Sequence, residues 1–106
     1  MRFNVYFIDD FESGNCYADN SKRILPTFAG KYYDNQSSVC IAACKGFKYA
    51  GMENGIECFC GNKQPSATLK RPGECPTKCP SNANEKCGGP NWRMNVWAVK
   101  SDVSGK

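Results

Sequence analysis

The chain has 106 residues, a formal net charge of +4 at neutral pH, and eight cysteines but no histidine. Its length suits a single domain. The basic residues are scattered among acidic ones, which argues against a nucleic-acid partner, and no run approaches the roughly 20 apolar residues that would insert into a membrane. Leu, Ile, Val and Phe make up only 17 of the 106 residues. We therefore expect four disulfides to compensate for a thin core.

The N-terminal 13 residues form an extension in our division of the chain, followed by one domain at 14–100 and a tail at 101–106. Residues 2–8, RFNVYFI, alternate and are rich in aromatic and branched side chains, which predicts a β-strand and a candidate edge for a homodimer. This segment is too short and too interrupted for a signal-peptide core. The chain is thus expected to be a mature or recombinant form whose export signal is missing.

Residues 37–46, SSVCIAACKG, have the features of a short helix. A serine stands at the N-cap, alanines lie inside, and Gly46 ends the segment. Cys40 and Cys44 are four residues apart and therefore share one helical face. The sequon at Asn35 would mark the surface in a eukaryotic protein.

Residues 47–62 predict two strands joined by Asn54-Gly55, the pair best suited to a two-residue hairpin turn. Such a turn predicts three cross-strand pairs: Glu53 with Ile56, Gly51 with Cys58, and Tyr49 with Cys60. Glu57 and Phe59 then face away from the two cysteines. Gly51 would give a helix room to approach.

The two cysteine pairs at 40/44 and 58/60 match in spacing, because four helical residues advance about 6 Å and two strand residues about 6.6 Å. A helix across the hairpin can be joined to it twice. An antiparallel arrangement, which we favour, pairs Cys40 with Cys60 and Cys44 with Cys58; a parallel one pairs Cys40 with Cys58 and Cys44 with Cys60. For the other four, we favour Cys16 with Cys87 and Cys75 with Cys79. The spacings argue against zinc.

The last part of the chain divides into two regions. Residues 61–91 hold five of the six prolines and predict mostly irregular structure. Residues 92–100, WRMNVWAVK, alternate and predict a strand that pairs with residues 2–8.

The sequence offers little for catalysis, and we expect no enzyme activity, cofactor or metal. It contains no histidine, no G-x-S-x-G motif and no phosphate-binding loop. Glu53 and Glu57 are the only conceivable glycosidase pair. The predicted hairpin places them on opposite faces of the sheet.

Carbohydrate binding has better candidates, because a sugar needs an aromatic platform and polar partners with planar amide, carboxylate or guanidinium groups. Aromatic residues stand beside polar ones in CYADN (16–20), KYYDN (31–35) and PNWRMN (90–95). For platform and rim we select Tyr32, Tyr33, Asn91 and Trp92. As polar partners we select either Tyr17, Asn20 and Arg23 or Glu53, Glu57 and Asn62. Tyr17 has a competing role in packing on a disulfide, and Trp97 is expected in the core.

Three segments together resemble the WSC domain, the extracellular module named for fungal cell-wall integrity and stress-response sensors. They are GNCYADNSKRIL, SSVCIAACKGFKYAGMENGIECFCGN and CPTKCPSNANEKCGGPNWRMNVW. The resemblance runs from about Gly14 to Trp97 and rests on the order of all eight cysteines and the CGGP sequence at 87–90. The family also occurs in Kremen receptors, polycystins and fungal carbohydrate-active enzymes. It implies a small disulfide-rich α+β fold akin to PAN/apple modules, with a short helix packed on an antiparallel sheet.

The resemblance also implies carbohydrate binding. We therefore expect a secreted or cell-surface, non-enzymatic, lectin-like protein that recognises a glycan or cell-wall polysaccharide. The alternative is an extracellular protein-protein interaction module of the Kremen type, in which the same aromatic residues bind a partner chain. Binding of one partner without competition by sugar would favour this alternative.

Overall fold

The computed structural model describes residues 11–99, which form a small α+β fold. The chain order is β1 (Asn15–Ala18), β2 (Thr27–Lys31), α1 (Ser37–Ala43), β3 (Tyr49–Glu53), β4 (Glu57–Gly61), a short 3₁₀ helix (Ala67–Leu69), β5 (Lys78–Cys79), β6 (Asn82–Lys86) and β7 (Arg93–Ala98). Strands β1-β7-β3-β4-β2 form one antiparallel sheet, and β5 and β6 form a second. The predicted small disulfide-rich α+β class is confirmed. The strand expected at 2–8, its pairing with the last strand, and the tail lie outside the described residues.

The central hairpin β3–β4 forms as predicted, but its register is shifted by one residue. Glu53 pairs with Glu57, Met52 with Cys58, and Ala50 with Cys60. The turn contains three residues, 54–56, rather than two. Since paired residues lie on the same face of a sheet, the shift changes every predicted neighbour across the hairpin.

The two faces of the large sheet carry different cores. One face presents Ala50, Met52 and the cysteines of β4 to helix α1, and we call it the disulfide face. The opposite face holds a second cluster: Tyr17, Leu25, Phe59, Met94 and Val96. A Cβ atom at Gly51 would lie 2.8 Å from Leu25 and 2.3 Å from the sulfur of Met94. Gly51 therefore makes room on the second face, not for the helix as expected.

Helix α1 begins at Ser37 and is preceded by Gln36 at the N-cap, whose side chain makes no capping hydrogen bond. A serine was the expected cap. Instead, the backbone NH and the hydroxyl of Ser37 donate to the two carboxylate oxygens of Glu85, at 2.8 and 2.6 Å. A carboxylate from β6 thus satisfies the first turn and lies where the helix dipole favours negative charge.

Both disulfides between α1 and β4 follow the parallel arrangement, so the favoured pairing was wrong. Cys40 bonds to Cys58 and Cys44 bonds to Cys60. The physical reason is that the chain reverses once between α1 and β3 and again between β3 and β4. Strand β4 therefore runs in the same direction as the helix.

The other two disulfides also differ from the favoured pairing. Cys79 bonds to Cys87 within the β5–β6 unit, where the Cys87 NH donates to the Thr77 carbonyl at 2.7 Å. Cys16 on β1 bonds to Cys75. The segment before Cys75 lies against β1, because the Arg71 NH donates to the Cys16 carbonyl at 2.8 Å.

The sequon asparagine is not a surface residue. Asn35 is fully buried, and its side-chain amide donates to the carbonyl of Gly55 at 3.1 Å. Within residues 11–99, no helix has the length and apolar character needed to cross a bilayer.

Candidate functional site

Four side chains form a continuous row on the face opposite the disulfides. The Arg23 guanidinium lies between two rings, with its central carbon 4.7 Å from the Phe59 ring centre and 4.7 Å from that of Trp92. Phe28 pairs with Phe59 across β2 and β4, and their ring centres are 5.2 Å apart. We call this row (Phe28, Phe59, Arg23, Trp92) the aromatic surface. Its outer members are open to solvent, since Phe28 is 52% exposed and Trp92 is 44% exposed.

The backbone that presents this surface is held in an uncommon conformation. Arg23, Asn91 and Trp92 all have positive φ, at 62°, 61° and 64°, a region that bulky residues rarely adopt. Asp19 ties the two segments together, because its NH donates to the Trp92 carbonyl and its carboxylate accepts the Ile24 NH, both at 2.8 Å. Such strain persists where surrounding contacts enforce it and is concentrated at functional sites.

Behind Arg23 lie two buried carboxyl groups. The same guanidinium nitrogen is 2.8 Å from an oxygen of Asp19 and 3.4 Å from one of Glu53. Burial and a hydrogen bond to Asp19 raise the pKa of Glu53 to about 9. Burial alone would raise the pKa of Asp19, but hydrogen bonds from Glu53, from backbone amides and from Arg23 lower it. At neutral pH Glu53 is therefore protonated and Asp19 ionised, so the three groups together carry no net charge.

This carboxyl pair does not have the geometry of a retaining glycosidase, which holds two carboxyl groups about 5 Å apart with the substrate between them. Here both groups are buried behind Arg23, and one guanidinium nitrogen lies within 3.4 Å of an oxygen of each. The expectation that Glu53 and Glu57 lie on opposite faces was wrong, because they pair directly across the hairpin. Glu57 is half-buried and accepts a hydrogen bond from the Asn54 amide at 3.1 Å.

The structure brings together some of the residues predicted for the site and separates the rest. Arg23, Glu53 and Trp92 are in contact, and Asn91 precedes Trp92 in the exposed turn. Five others have different surroundings. Tyr17 is buried in the second cluster, and Tyr32 packs against the core of the disulfide face. Tyr33 is 76% exposed. Asn20 and Asn62 are also exposed, and their side chains accept hydrogen bonds from the backbone NH groups of Lys22 and Lys48, respectively.

Three residues of the site were not selected from the sequence: Asp19, Phe28 and Phe59. Phe59 had a usable signal, since it alternates with two cysteines and must face away from the disulfides. Asp19 lies within CYADN, beside residues that were selected. Phe28 had no signal, because its exposure follows from the position of β2 at the edge of the sheet.

Three clustered cysteines are not available as thiolate ligands for a metal. The sulfur atoms of Cys40, Cys44 and Cys58 lie within 4.8 Å of one another. Each is bonded in a disulfide, and a disulfide sulfur is not the thiolate that binds metal.

Two shallow hollows lie outside the aromatic surface. One, of about 210 Å³, is lined by Gly73, Glu74, Pro76, Pro90, Asn91 and Arg93, the last two of which flank Trp92 in the sequence. The other, of about 220 Å³, is lined by Glu12, Asn15, Cys16, Lys70 and Pro72.

The fold and disulfide pattern define a small disulfide-bonded α+β module, in which helix α1 is joined to a five-stranded sheet by covalent bridges. The family model for the WSC domain matches residues 14–89. The chain belongs to the WSC domain family, as the sequence resemblance indicated.

The relatives include both enzymes and other proteins. Xylosyltransferase oxt of Drosophila melanogaster is 39% identical over 89 residues, which are 77% of this chain and 10% of that protein. Xylosyltransferase sqv-6 of Caenorhabditis briggsae is 43% identical over 81 residues, 72% of this chain and 10% of that protein. Protein SLG1 of Saccharomyces cerevisiae is 32% identical over 99 residues, 89% of this chain and 25% of that protein. The chain thus spans about a tenth of the length of these xylosyltransferases.

Proposed function

We propose that this WSC domain binds carbohydrate through its aromatic surface. The single observation that carries the proposal is the stack of Arg23 between Phe59 and Trp92, with exposed rings at both ends. Ring faces suit the C–H faces of a sugar, and the guanidinium keeps NH groups for hydroxyl oxygens. The similarity to xylosyltransferases, whose name denotes sugar transfer, supports a saccharide ligand.

Rigidity favours this surface as a binding site. Each hydrogen bond to a sugar hydroxyl replaces one to water and contributes only about 0.5 to 1.5 kcal/mol. Ordering the protein on binding would offset that gain. Arg23 is already fixed by the ion pair with Asp19 and by two ring contacts.

Charge favours a neutral glycan over an acidic one. Arg23 is balanced by Asp19, and Arg93 is paired with Glu74 at 2.7 Å. Neither of these two arginines therefore offers an unpaired positive charge to an acidic sugar. The proposed ligand is therefore a neutral mono- or polysaccharide.

The proposal includes a non-enzymatic role outside the cell. Four disulfides within one small domain are typical of an oxidising compartment. The only strongly perturbed carboxyl pair among residues 11–99 lies behind Arg23, where a substrate would not reach it.

The test compares two exposed aromatic residues on a glycan array. Trp92→Ala removes one end of the aromatic surface and should weaken binding of the recognised glycan about tenfold or more, in the range of a binding hot spot. Tyr33→Ala is the matched control, because Tyr33 is even more exposed and lies next to Tyr32 of the disulfide face. It should bind as the unmodified protein does.

Two outcomes would contradict the proposal. If the oxidised, folded protein binds no glycan on the array or in polysaccharide pull-downs, the proposal that the domain binds carbohydrate is wrong. If Tyr33→Ala abolishes binding and Trp92→Ala does not, the site lies elsewhere. Tight binding of one protein partner without competition by sugar would favour the interaction-module alternative.

A further inference from the structure

We propose that the hollow lined by Asn91 and Arg93 is a second sugar subsite, so that the domain binds the interior of a saccharide chain rather than one terminal sugar. This inference rests on the proposed function. The hollow shares Asn91 and Arg93 with the turn that carries Trp92. Because Asn91 and Arg93 flank Trp92 in the sequence, the hollow adjoins the residue at one end of the aromatic surface.

The size and walls of the hollow suit one sugar ring. Its volume of about 210 Å³ is below the roughly 300 to 1,000 Å³ of pockets for drug-sized ligands. Pro76 and Pro90 supply apolar flanks, and Asn91 supplies an exposed amide. A Cβ atom at Gly89 would lie 2.7 Å from Pro76, so this glycine lets the two walls come together.

The polar side of the hollow is fixed before any ligand binds. The Arg93 Nε donates to Glu74 at 2.7 Å, and its Nη1 donates to the carbonyls of Asn91 and Trp92 at 3.1 and 3.4 Å. Arg93 therefore connects the hollow to the backbone of the turn that carries Trp92. The half-exposed Glu74 carboxylate keeps acceptor capacity for a sugar hydroxyl.

The experiment measures dissociation constants for neutral β-1,3-gluco- and β-1,4-xylo-oligosaccharides of increasing length, by calorimetry. The variant is Glu74→Gln with Pro76→Ala, which changes two walls of the hollow and no residue selected for the aromatic platform or its rim. For the unmodified protein, affinity should rise with chain length to a plateau. The variant should lose about tenfold with long chains and remain unchanged with the shortest chain that binds.

The control is Lys70→Ala in the second hollow, which has nearly the same volume and should leave every affinity unchanged. Equal losses for short and long chains, or no loss, would overturn the subsite while leaving the proposed function intact. Absence of binding by the unmodified protein at every length would overturn both. A larger effect of Lys70→Ala on long chains would place the subsite in the other hollow.

Discussion

The disulfide face and the aromatic surface lie on opposite sides of the same hairpin, and they have different roles in the molecule. On the disulfide face, Cys58 and Cys60 are bonded to the helix and fully buried. On the other side, Phe59, between those cysteines in sequence, supports a guanidinium and an exposed tryptophan. Strand alternation lets one five-residue strand serve both sides.

The comparison shows how a domain with a thin aliphatic core can hold exposed rings in place. Burial of large apolar residues would normally hold a strand in place, but here β4 is held by two disulfides on the disulfide face of the sheet. The outer rings of the aromatic surface, Phe28 and Trp92, then remain exposed. Stability should therefore depend mainly on the disulfide face, and binding mainly on the aromatic surface.

The largest expected effect comes from removing one bridge of the disulfide face. Cys44→Ala with Cys60→Ala should lower the free energy of unfolding by about 3 kcal/mol, because the unfolded chain gains the freedom of an open loop. Helix α1 has only seven residues and is too short to persist by itself. Urea denaturation followed by circular dichroism measures the loss, and thiol titration checks that the other three bridges remain.

The matched change on the aromatic surface is Trp92→Ala, for which we expect a loss of about 1 kcal/mol or less. If Trp92→Ala destabilises the protein as much as loss of the bridge, the proposed division between the two faces is wrong.

The sequence predicted much of the disulfide face because its signals are local. Cysteine spacing and Asn54-Gly55 located the helix and the hairpin. Pairing depended on direction, and two chain reversals make α1 and β4 parallel. The register depended on Ile56 joining the turn, which no propensity specifies. Glu85 was also missed as the partner of the first helical turn, because it lies 48 positions from Ser37.

The aromatic surface was predicted only in part because its members come from separate segments. Residue type and polar neighbours were enough to select Arg23 and Trp92. The same criterion selected Tyr32, which instead covers the disulfide core, since an amphipathic ring suits either location. Only the register of β2 on β4 places Phe28 beside Phe59.

The second prediction concerns the pH dependence of stability. It tests the aromatic surface separately from the disulfide face, because the two perturbed carboxyl groups lie behind Arg23. The unfolded chain loses the Glu53 proton above its ordinary pKa of 4.5, whereas the folded chain keeps it until about pH 9. The stabilising contribution of Glu53 is therefore fully present below pH 4.5 and falls as pH rises through this window. Asp19 acts oppositely, since its lowered pKa gives stability that is lost on acidification below its ordinary 3.8. Stability should peak near pH 4 to 5.

Denaturation at pH 5 and pH 8 should show a fall of roughly 1 to 3 kcal/mol in the unmodified protein. Glu53→Gln should remove most of that fall, because an amide can still donate to Asp19 but does not ionise. Glu57→Gln is the control on the adjacent strand and should retain most of the decrease, because Glu57 is the smallest of the causes that raise the pKa of Glu53. If the pH dependence of stability is unchanged in Glu53→Gln, then Glu53 is not the group that stays protonated in the folded protein up to about pH 9.

The smallest expected effect tests the stack itself. Arg23→Lys retains the positive charge beside Asp19 but removes the planar group between the two rings, so the stability loss should be only about 0.5 to 1 kcal/mol. Tryptophan fluorescence should nevertheless shift, because the exposed Trp92 loses its stacking partner while the half-buried Trp97 is on the other side of the sheet. Arg71→Lys is the control, because the Arg71 guanidinium donates to the carbonyls of Thr68 and Lys70, and it should leave the spectrum unchanged. If Arg23→Lys leaves both spectrum and glycan affinity unaltered, charge alone maintains the aromatic surface, and the two faces differ less than their geometry indicates.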